Sequence, residues 1–127
     1  MELYVHIPFC IRKCQYCDFL SAPSDKSTRE AYVQALLREI RSYAGKVSSG
    51  VTSVFIGGGT PSVLEPEWIS EIMEAIEEIF CLTEDAEITM EANPGTVTEA
   101  GLRSYRTCGI NRLSLGLQST DQEELKI

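Results

Sequence analysis

Apolar residues along this chain follow two alternating patterns. Short runs rich in β-branched residues are separated by longer stretches in which apolar residues recur at helical spacing. The short runs, bounded by proline, glycine or asparagine, predict strands over residues 3–7, 51–56, 87–91 and 112–117. The second of these runs is nearly continuous in apolar character, which is typical of a strand that is covered on both faces.

The longer stretches predict helices over residues 28–47, 66–80 and 98–108, and a further helix that opens at Thr120. Ser27 to Glu30 has the spacing of a capping box, which supports the start of the first helix. The outer face of the second helix is acidic, and we expect its glutamates to be solvated surface: Glu67, Glu71, Glu74, Glu77 and Glu78.

This order of elements predicts an α/β fold. Each predicted strand is followed by a helix, with connections of the length that parallel β/α units use, so the strands should form one parallel sheet. The chemically distinctive residues fall directly after strands, where β/α barrels build their sites. Four strands do not close a barrel, and the last helix is cut off after Ile127. We therefore expect residues 1–127 to be one domain at most, and the N-terminal part of a longer protein.

Three cysteines lie close together in a long loop predicted over residues 8–26. Cys10, Cys14 and Cys17 have a C-x3-C-x2-C spacing, directly after the first strand. Thiolates this close together can hold one face of a cubane [4Fe-4S] cluster, whose irons take tetrahedral sulfur ligands. Such a loop would leave the fourth iron open.

The surroundings of these cysteines leave other interpretations open. The positive charges of Arg12 and Lys13 favour the thiolate form that a metal ligand needs. A structural zinc site could use the same thiols with His6 or Asp18 as the fourth ligand, although zinc sites usually have two separated ligand pairs. A chance cluster of buried thiols is the third interpretation.

Composition and charge describe a globular chain. Of 127 residues, 43% are hydrophobic and 24% are charged, and 11 Lys and Arg against 19 Asp and Glu give a net charge of −8. This acidity argues against nucleic acid or an anionic membrane as a partner. No signal peptide or membrane-spanning run is visible. The isolated Cys81 and Cys108 suggest packing residues rather than a disulfide framework, and we expect a cytoplasmic location.

Further positions could contact a ligand, and each has a plainer alternative. The run Gly57-Gly58-Gly59 would let the backbone come close to a ligand, or would make a tight connection to the next helix. Glu91 could accept hydrogen bonds from ribose hydroxyls or an ammonium group, or it could lie solvated at a strand end. Tyr4 would point towards the cysteine loop, or it would be a plain core aromatic.

Taken together, these stretches resemble the radical S-adenosylmethionine (SAM) superfamily and, within it, the oxygen-independent coproporphyrinogen III oxidase group. The stretches that carry the resemblance are Tyr4 to Cys10, the three-cysteine loop, Phe55 to Pro61, Glu91 to Gly95 and Asn111 to Ser119. They occur in order, at the ends of successive predicted strands, and cover the whole chain. The resemblance implies a partial, TIM-like barrel of which this chain would be the N-terminal part.

The resemblance also implies a [4Fe-4S] cluster on Cys10, Cys14 and Cys17, whose open iron is chelated by the amino and carboxylate groups of SAM. The residues that it implies for contact with SAM are Tyr4, Tyr16, Gly58, Gly59, Thr60, Glu91 and Gln118. In the family, the tyrosines would lie against the cofactor, the glycines and the threonine would bind its methionine part, and Glu91 and Gln118 would hold it further along. In the family, an electron from the cluster would cleave the sulfonium bond of SAM and release a 5′-deoxyadenosyl radical.

One departure from the oxidases changes the expected function. The oxidases carry another cysteine two residues after the third cluster cysteine, whereas this chain has Phe19 there. The sequence Cys17-Asp18-Phe19 is similar to the haem chaperone branch, the HemW-like proteins, which bind haem and pass it to apoproteins. The implied partners are haem or a porphyrin, a haem-accepting apoprotein and an electron donor. The alternatives are an authentic oxidase and a zinc-stabilised binding module, and His6 is a further candidate for a haem or substrate contact.

Overall fold

The computed structural model describes residues 1–9, 25–46, 50–95 and 97–115. Its strands are β1 (Glu2–Ile7), β2 (Val51–Gly58), β3 (Leu82–Ala92) and β4 (Arg112–Leu115), and its helices are α1 (Lys26–Arg41), α2 (Pro66–Ile79) and α3 (Glu99–Thr107). A short 3-10 helix covers Pro61–Val63. The strands form one four-stranded sheet in the order β1-β2-β3-β4, and each neighbouring pair is parallel. The predicted parallel α/β fold is thus confirmed, with the sequential strand order that a β/α barrel requires.

The helices cover one face of this sheet and form the hydrophobic core with it. Every second strand residue is buried on that face: Val5, Ile7, Val54, Ile56, Ile88 and Met90. Helices α1 and α2 contribute the residues of their apolar faces: Val33, Leu37, Ile40, Ile69, Ile72, Met73 and Ile76. The five glutamates predicted on the outer face of α2 are all exposed, as expected. None of the helices among the described residues is long and apolar enough to cross a membrane.

The first helix differs from the prediction at both ends. It begins at Lys26 because Asp25, rather than Ser27, is the N-cap, and the side chain of Asp25 accepts a hydrogen bond from the Thr28 N–H at 2.8 Å. This bond holds the pKa of Asp25 below its usual value. The helix ends at Arg41 and is followed by turns over residues 42–46, in which Gly45 has a φ of +75°.

Two strands are longer than predicted. The second strand continues through Gly57 and Gly58, so the first two glycines of the run belong to the sheet. The third strand begins at Leu82 rather than Glu87, and the register with β2 shifts between the pairs Val51–Leu82 and Ser53–Glu87. This irregularity inserts polar residues that interrupt the apolar pattern, which is why the pattern indicates only the second half of the strand.

Asn111 directly precedes the fourth strand, and its side chain forms hydrogen bonds with the backbone of β3. Its side-chain oxygen accepts from the Ile88 N–H at 2.9 Å, and its side-chain amide donates to the Ala86 carbonyl at 3.0 Å. Its own N–H donates to the Ile88 carbonyl at 3.0 Å. These bonds set the register of β4 on β3. The predicted end of this strand, after Leu115, and the predicted helix at Thr120 lie outside the described residues.

The two isolated cysteines have different surroundings. Cys108 is half-buried against the core, as predicted, and burial raises the pKa of its thiol, so the group stays protonated. The prediction that Cys81 is a packing residue is wrong, because its side chain is exposed between α2 and β3.

Candidate functional site

The carboxyl ends of β1, β2 and β3 lie at the same end of the sheet. Several side chains near these ends project from the face that the helices leave open. Register places Tyr4 beside Phe55 and His6 beside Gly57. Glu91 follows Met90, which pairs with Ile56, so its side chain lies on the same open face. Five of the predicted site residues are thus brought together: Tyr4, Gly58, Gly59, Thr60 and Glu91. The others, Cys10, Cys14, Tyr16, Cys17 and Gln118, lie outside the described residues.

The end of β2 clamps the segment that leads into the cysteines. The Gly59 N–H donates to the Ile7 carbonyl at 2.7 Å, and the Thr60 N–H donates to the Phe9 carbonyl at 2.6 Å. Thr60 is itself buried. Because Phe9 directly precedes Cys10, this clamp fixes the position from which the cysteine loop departs.

Helix α1 supports the same segment from the other side. The ring of Phe9 is buried and packs edge-on against the ring of Tyr32, with centroids 5.3 Å apart and an interplanar angle of 82°. The Tyr32 hydroxyl donates to the His6 carbonyl, an outward-facing group of the first strand. Burial, chiefly, raises the pKa of Tyr32, so the hydroxyl keeps the proton that it donates.

The glycine run is explained by close approach to protein neighbours. A Cβ at Gly59 would lie 2.4 Å from the Phe9 carbonyl oxygen, a distance that no side chain tolerates. A Cβ at Gly58 would lie 2.7 Å from the His6 ring, and Gly58 has a φ of +117°. A Cβ at Gly57 would lie 2.6 Å from the carboxylate of Glu91. Each glycine therefore makes room for a different neighbour of the site, rather than simply tightening a turn.

Glu91 is half-buried and is held by the glycine run. Its Oε1 atom accepts a hydrogen bond from the Gly58 N–H at 2.9 Å, so the partly exposed carboxylate has a protein partner on β2. The N–H groups of Gly58, Gly59 and Thr60 all have protein acceptors. A ligand that met this segment would therefore meet carbonyl oxygens and the carboxylate of Glu91, which suit an ammonium group or hydroxyls rather than an anion.

Tyr4 lies on the open face and is 56% exposed, so the alternative of a plain core aromatic is wrong. Its ring stacks on Phe55, with centroids 6.0 Å apart and planes 14° from parallel. Its hydroxyl is 3.2 Å from Nδ1 of His6. Partial burial and then the negative charge of Glu91 raise the pKa of Tyr4, which confirms that the carboxylate and the phenol are electrostatic neighbours.

The polypeptide after the glycine run is tied to the end of β3. Ser62, in the 3-10 helix, accepts a hydrogen bond from the Asn93 N–H at 3.1 Å, and the Asn93 side chain accepts from the Gly95 N–H at 2.8 Å. These bonds confirm the turn predicted after Glu91. They also hold the second and third strand ends at a constant separation.

Sequence patterns missed the residues that support the site. Phe55, Phe9 and Tyr32 were not among the predicted site residues, yet they stack on Tyr4 or hold the segment before Cys10. A signal for Phe55 exists, because it directly precedes the buried Ile56 in the strand, and neighbouring strand residues point to opposite faces. In residues 1–9, 25–46, 50–95 and 97–115, no group of three or more His, Cys, Asp and Glu side chains could hold a metal ion.

Known proteins match this chain over nearly its whole length. Residues 4–127 match the profile of the Radical SAM superfamily. The chain is 43% identical over 128 residues to the heme chaperone HemW of Escherichia coli K12, covering 99% of this chain and 34% of that protein. It is 37% identical over 128 residues to the radical S-adenosyl methionine domain-containing protein 1, mitochondrial, of Danio rerio, covering 99% of this chain and 29% of that protein.

A solved structure matches the fold. Coproporphyrinogen III oxidase (HemN) from Escherichia coli, a radical SAM enzyme, superposes with a TM-score of 0.82 at 35% identity, over 98% of this chain and 29% of that one. The four-stranded parallel sheet with its helices therefore corresponds to the N-terminal part of the barrel of that enzyme. The chain spans about a third of the length of the curated relatives that it matches, with coverage of 34% for the bacterial HemW.

Proposed function

Because the chain belongs to the radical SAM superfamily, we propose that Cys10, Cys14 and Cys17 hold a [4Fe-4S] cluster whose open iron binds SAM. The observation that carries this proposal is the clamp of Gly59 and Thr60 on Ile7 and Phe9, which holds the strand end directly before Cys10. Hydrogen bonds of this kind keep the first residue of a ligand loop at a fixed distance from the neighbouring strand ends, as a site that positions two cofactors requires. We also propose that residues 1–127 are the N-terminal portion of a radical SAM core domain.

The described residues fit SAM chemically. The molecule has an ammonium group, ribose hydroxyls, a sulfonium cation and a flat adenine ring. Glu91 offers a carboxylate acceptor, and the glycine run offers carbonyl oxygens rather than N–H groups. The parallel rings of Tyr4 and Phe55 offer an exposed aromatic surface. We propose contacts with SAM from Tyr4, Tyr16, Gly58, Gly59, Thr60, Glu91 and Gln118.

The cluster and SAM together would supply radical chemistry by reductive cleavage of the sulfonium bond. The protein's own residues would bind and orient. Glu91 lies at the end of β3, where the Gly58 N–H donates to its Oε1 atom and holds the carboxyl group on the open face. Thr60, which is buried, contributes through its backbone to the clamp on Phe9. The helices act from the opposite face, by fixing the strands.

For the biological role, we propose a haem chaperone that binds haem and delivers it to an apoprotein, with an electron donor as a further partner. Support comes from the curated relatives, among them the HemW proteins of Escherichia coli and Haemophilus influenzae. It also comes from Phe19, which stands where the oxidases carry a cysteine. A cytoplasmic location is part of this proposal, because a reducing compartment suits a thiolate-bound cluster.

The second candidate is an oxygen-independent coproporphyrinogen III oxidase, which decarboxylates its porphyrinogen substrate. It is favoured by the structural match to HemN at 35% identity. Turnover of coproporphyrinogen III under anaerobic, reducing conditions would establish this candidate. Haem binding with transfer to an apoprotein, without turnover, is the result expected for the chaperone.

The cofactor proposal is tested by measuring iron and acid-labile sulfide in anaerobically reconstituted protein. An electron paramagnetic resonance spectrum of the dithionite-reduced protein, before and after addition of SAM, reports on the open iron. We expect a [4Fe-4S] signal that changes on addition. The variant Cys14→Ala should lose the cluster, whereas Cys81→Ala, which changes an exposed cysteine outside the site, should keep it. Zinc without sulfide would instead establish the zinc-stabilised module.

A further inference from the structure

His6 lies on the open face at the end of β1, beside Gly57 of β2, without being among the residues proposed to contact SAM. Its Nδ1 atom is 3.2 Å from the Tyr4 hydroxyl. The ring centroids of the two residues are 6.0 Å apart and their planes are 39° from parallel. When Nδ1 carries no proton, it accepts a hydrogen bond from the Tyr4 hydroxyl and sets the direction of the Tyr4 O–H bond.

The position of the His6 ring is itself determined by its surroundings. A Cβ at Gly58 would lie 2.7 Å from both Cε1 and Nδ1 of His6, so the imidazole packs directly over the glycine. The backbone of His6 is held by the Tyr32 hydroxyl, which donates to its carbonyl. The ring is therefore constrained from the side of helix α1 and from the side of β2.

The same glycine links His6 to the carboxylate. The Gly58 N–H donates to Oε1 of Glu91 at 2.9 Å. Tyr4, His6, Gly58 and Glu91 thus form one continuous arrangement, in which the imidazole contacts both the phenol and the glycine that donates to the carboxylate. A side chain at position 58 would displace the ring and release the phenol.

We propose that His6 is a positioning residue, whose imidazole, seated over Gly58, fixes the Tyr4 hydroxyl and thereby shapes the site for SAM. This inference rests on the proposed function for its link to SAM. The contact between the two side chains does not depend on that function, and it can be tested in protein without cofactor.

Two amide substitutions separate a positioning role from general packing. In His6→Asn the side-chain amide occupies the place of Nδ1 and can still meet the Tyr4 hydroxyl. In His6→Gln the amide lies where Nε2 was and cannot meet it. His6→Leu removes the polar group, and Tyr4→Phe removes the hydroxyl alone.

The affinity for SAM is measured by isothermal titration on anaerobically reconstituted protein, with iron content and melting temperature as controls. We expect His6→Leu, His6→Gln and Tyr4→Phe each to weaken binding about tenfold, which corresponds to about 1.4 kcal/mol. His6→Asn should stay within about threefold of the wild type, or ~0.7 kcal/mol. The double variant His6→Leu/Tyr4→Phe should bind no more weakly than either single variant. Equal affinities for the Asn and Gln variants, or fully additive losses in the double variant, would overturn the proposal.

A second measurement uses the protein without cofactor. With 3-fluorotyrosine incorporated, the fluorine resonance of Tyr4 is assigned by its loss in Tyr4→Phe. We expect this resonance to move towards the value of free fluorotyrosine in His6→Leu and His6→Gln, and to stay near its wild-type position in His6→Asn. An unchanged Tyr4 resonance in all three variants would refute the contact itself. If the wild type bound no SAM while the resonance moved as expected, the proposed function would fail and the His6 contact would stand.

Discussion

The two faces of the sheet are built from the same strands but carry different chemistry. On the helix-covered face, Val5, Ile56 and Met90 lie side by side in register and are almost fully buried. One residue earlier in each strand, on the open face, the row contains Tyr4, Phe55 and the polar Thr89. Next towards the strand ends come His6 and Gly57.

This difference shows how one short chain separates stability from recognition. Because side chains alternate along a strand, each strand can supply branched apolar residues to the core and polar or aromatic residues to the site. The core face needs volume and shape, so its residues are exchangeable within limits. The open face needs particular atoms at particular places, and glycine is required wherever those atoms approach the backbone.

The largest effect on stability is expected from the covered face. Ile56 is 0% exposed, and Ile56→Ala should lower the free energy of unfolding by about 2–5 kcal/mol, through lost apolar contact and a cavity. The matched variant is Phe55→Ala, at the neighbouring position on the open face, where the side chain is 38% exposed. Its cost should be about 1 kcal/mol, mostly from stacking on Tyr4. Urea unfolding measures both, and equal losses would remove the distinction between the faces.

Gly59→Ala should have the next largest effect, because it disturbs the hydrogen bonds that hold the segment before Cys10 against the end of β2. The added methyl group would lie 2.4 Å from the Phe9 carbonyl oxygen, so the clamp must open. We expect a loss of about 1–3 kcal/mol in the free energy of unfolding, together with reduced iron content after reconstitution. Gly50→Ala, at the opposite end of β2, is the control and should change stability by less than about 1 kcal/mol. Full iron loading of the Gly59 variant would show that the clamp does not serve the loop.

Glu91→Gln tests the role of the negative charge on the open face, because glutamine has nearly the same shape as glutamate. The amide oxygen can still accept from the Gly58 N–H, so stability and iron content should stay near those of the wild type. Loss of the negative charge should weaken SAM binding about tenfold, or ~1.4 kcal/mol. Glu87→Gln, an exposed position on the same face of β3, provides the control for net charge. Equal weakening by both variants would point to a general charge effect.

The smallest effect is a dependence of stability on alkaline pH, to which two groups on the covered side contribute. Burial raises the pKa of Tyr105, on α3, and of Cys108 at its end. A raised pKa in the folded state stabilises the fold fully at pH values below the unfolded pKa, and this contribution is lost as pH rises. The free energy of unfolding should therefore fall from about pH 8.5 upward, the usual range of a thiol, and further near pH 10, where tyrosine titrates. Urea unfolding between pH 7 and 10.5 measures this.

Cys108→Ala should remove the first part of that decline and leave the second, because a thiol titrates at lower pH than the phenol of Tyr105. Cys81→Ala should leave both parts, since Cys81 is exposed. A free energy of unfolding that rises with pH in this range would contradict the assignment of either group.

Much of the fold could be read from local patterns. Parallel order follows from strands that alternate with amphipathic helices, and the structure confirms it. The start of the first helix depends on a single side chain, that of Asp25, which caps the helix where the pattern indicated Ser27. The full length of the third strand could not be predicted, because the residues before Glu87 are held by pairing with β2 and not by their own apolar pattern.

In the candidate site, too, some features follow from local sequence and others only from the tertiary structure. Cysteine spacing, the glycine run and the strand-end glutamate are local features, and their chemistry is legible in the amino-acid order alone. Which neighbour each glycine accommodates depends on strand register, a long-range property that places His6 over Gly58 and Glu91 across Gly57. The tertiary structure was likewise needed to show Tyr4 as an exposed aromatic bound to His6 rather than a core residue. The physical reason is that a residue's type limits what it can contact, while pairing between distant strands selects the contact that it makes.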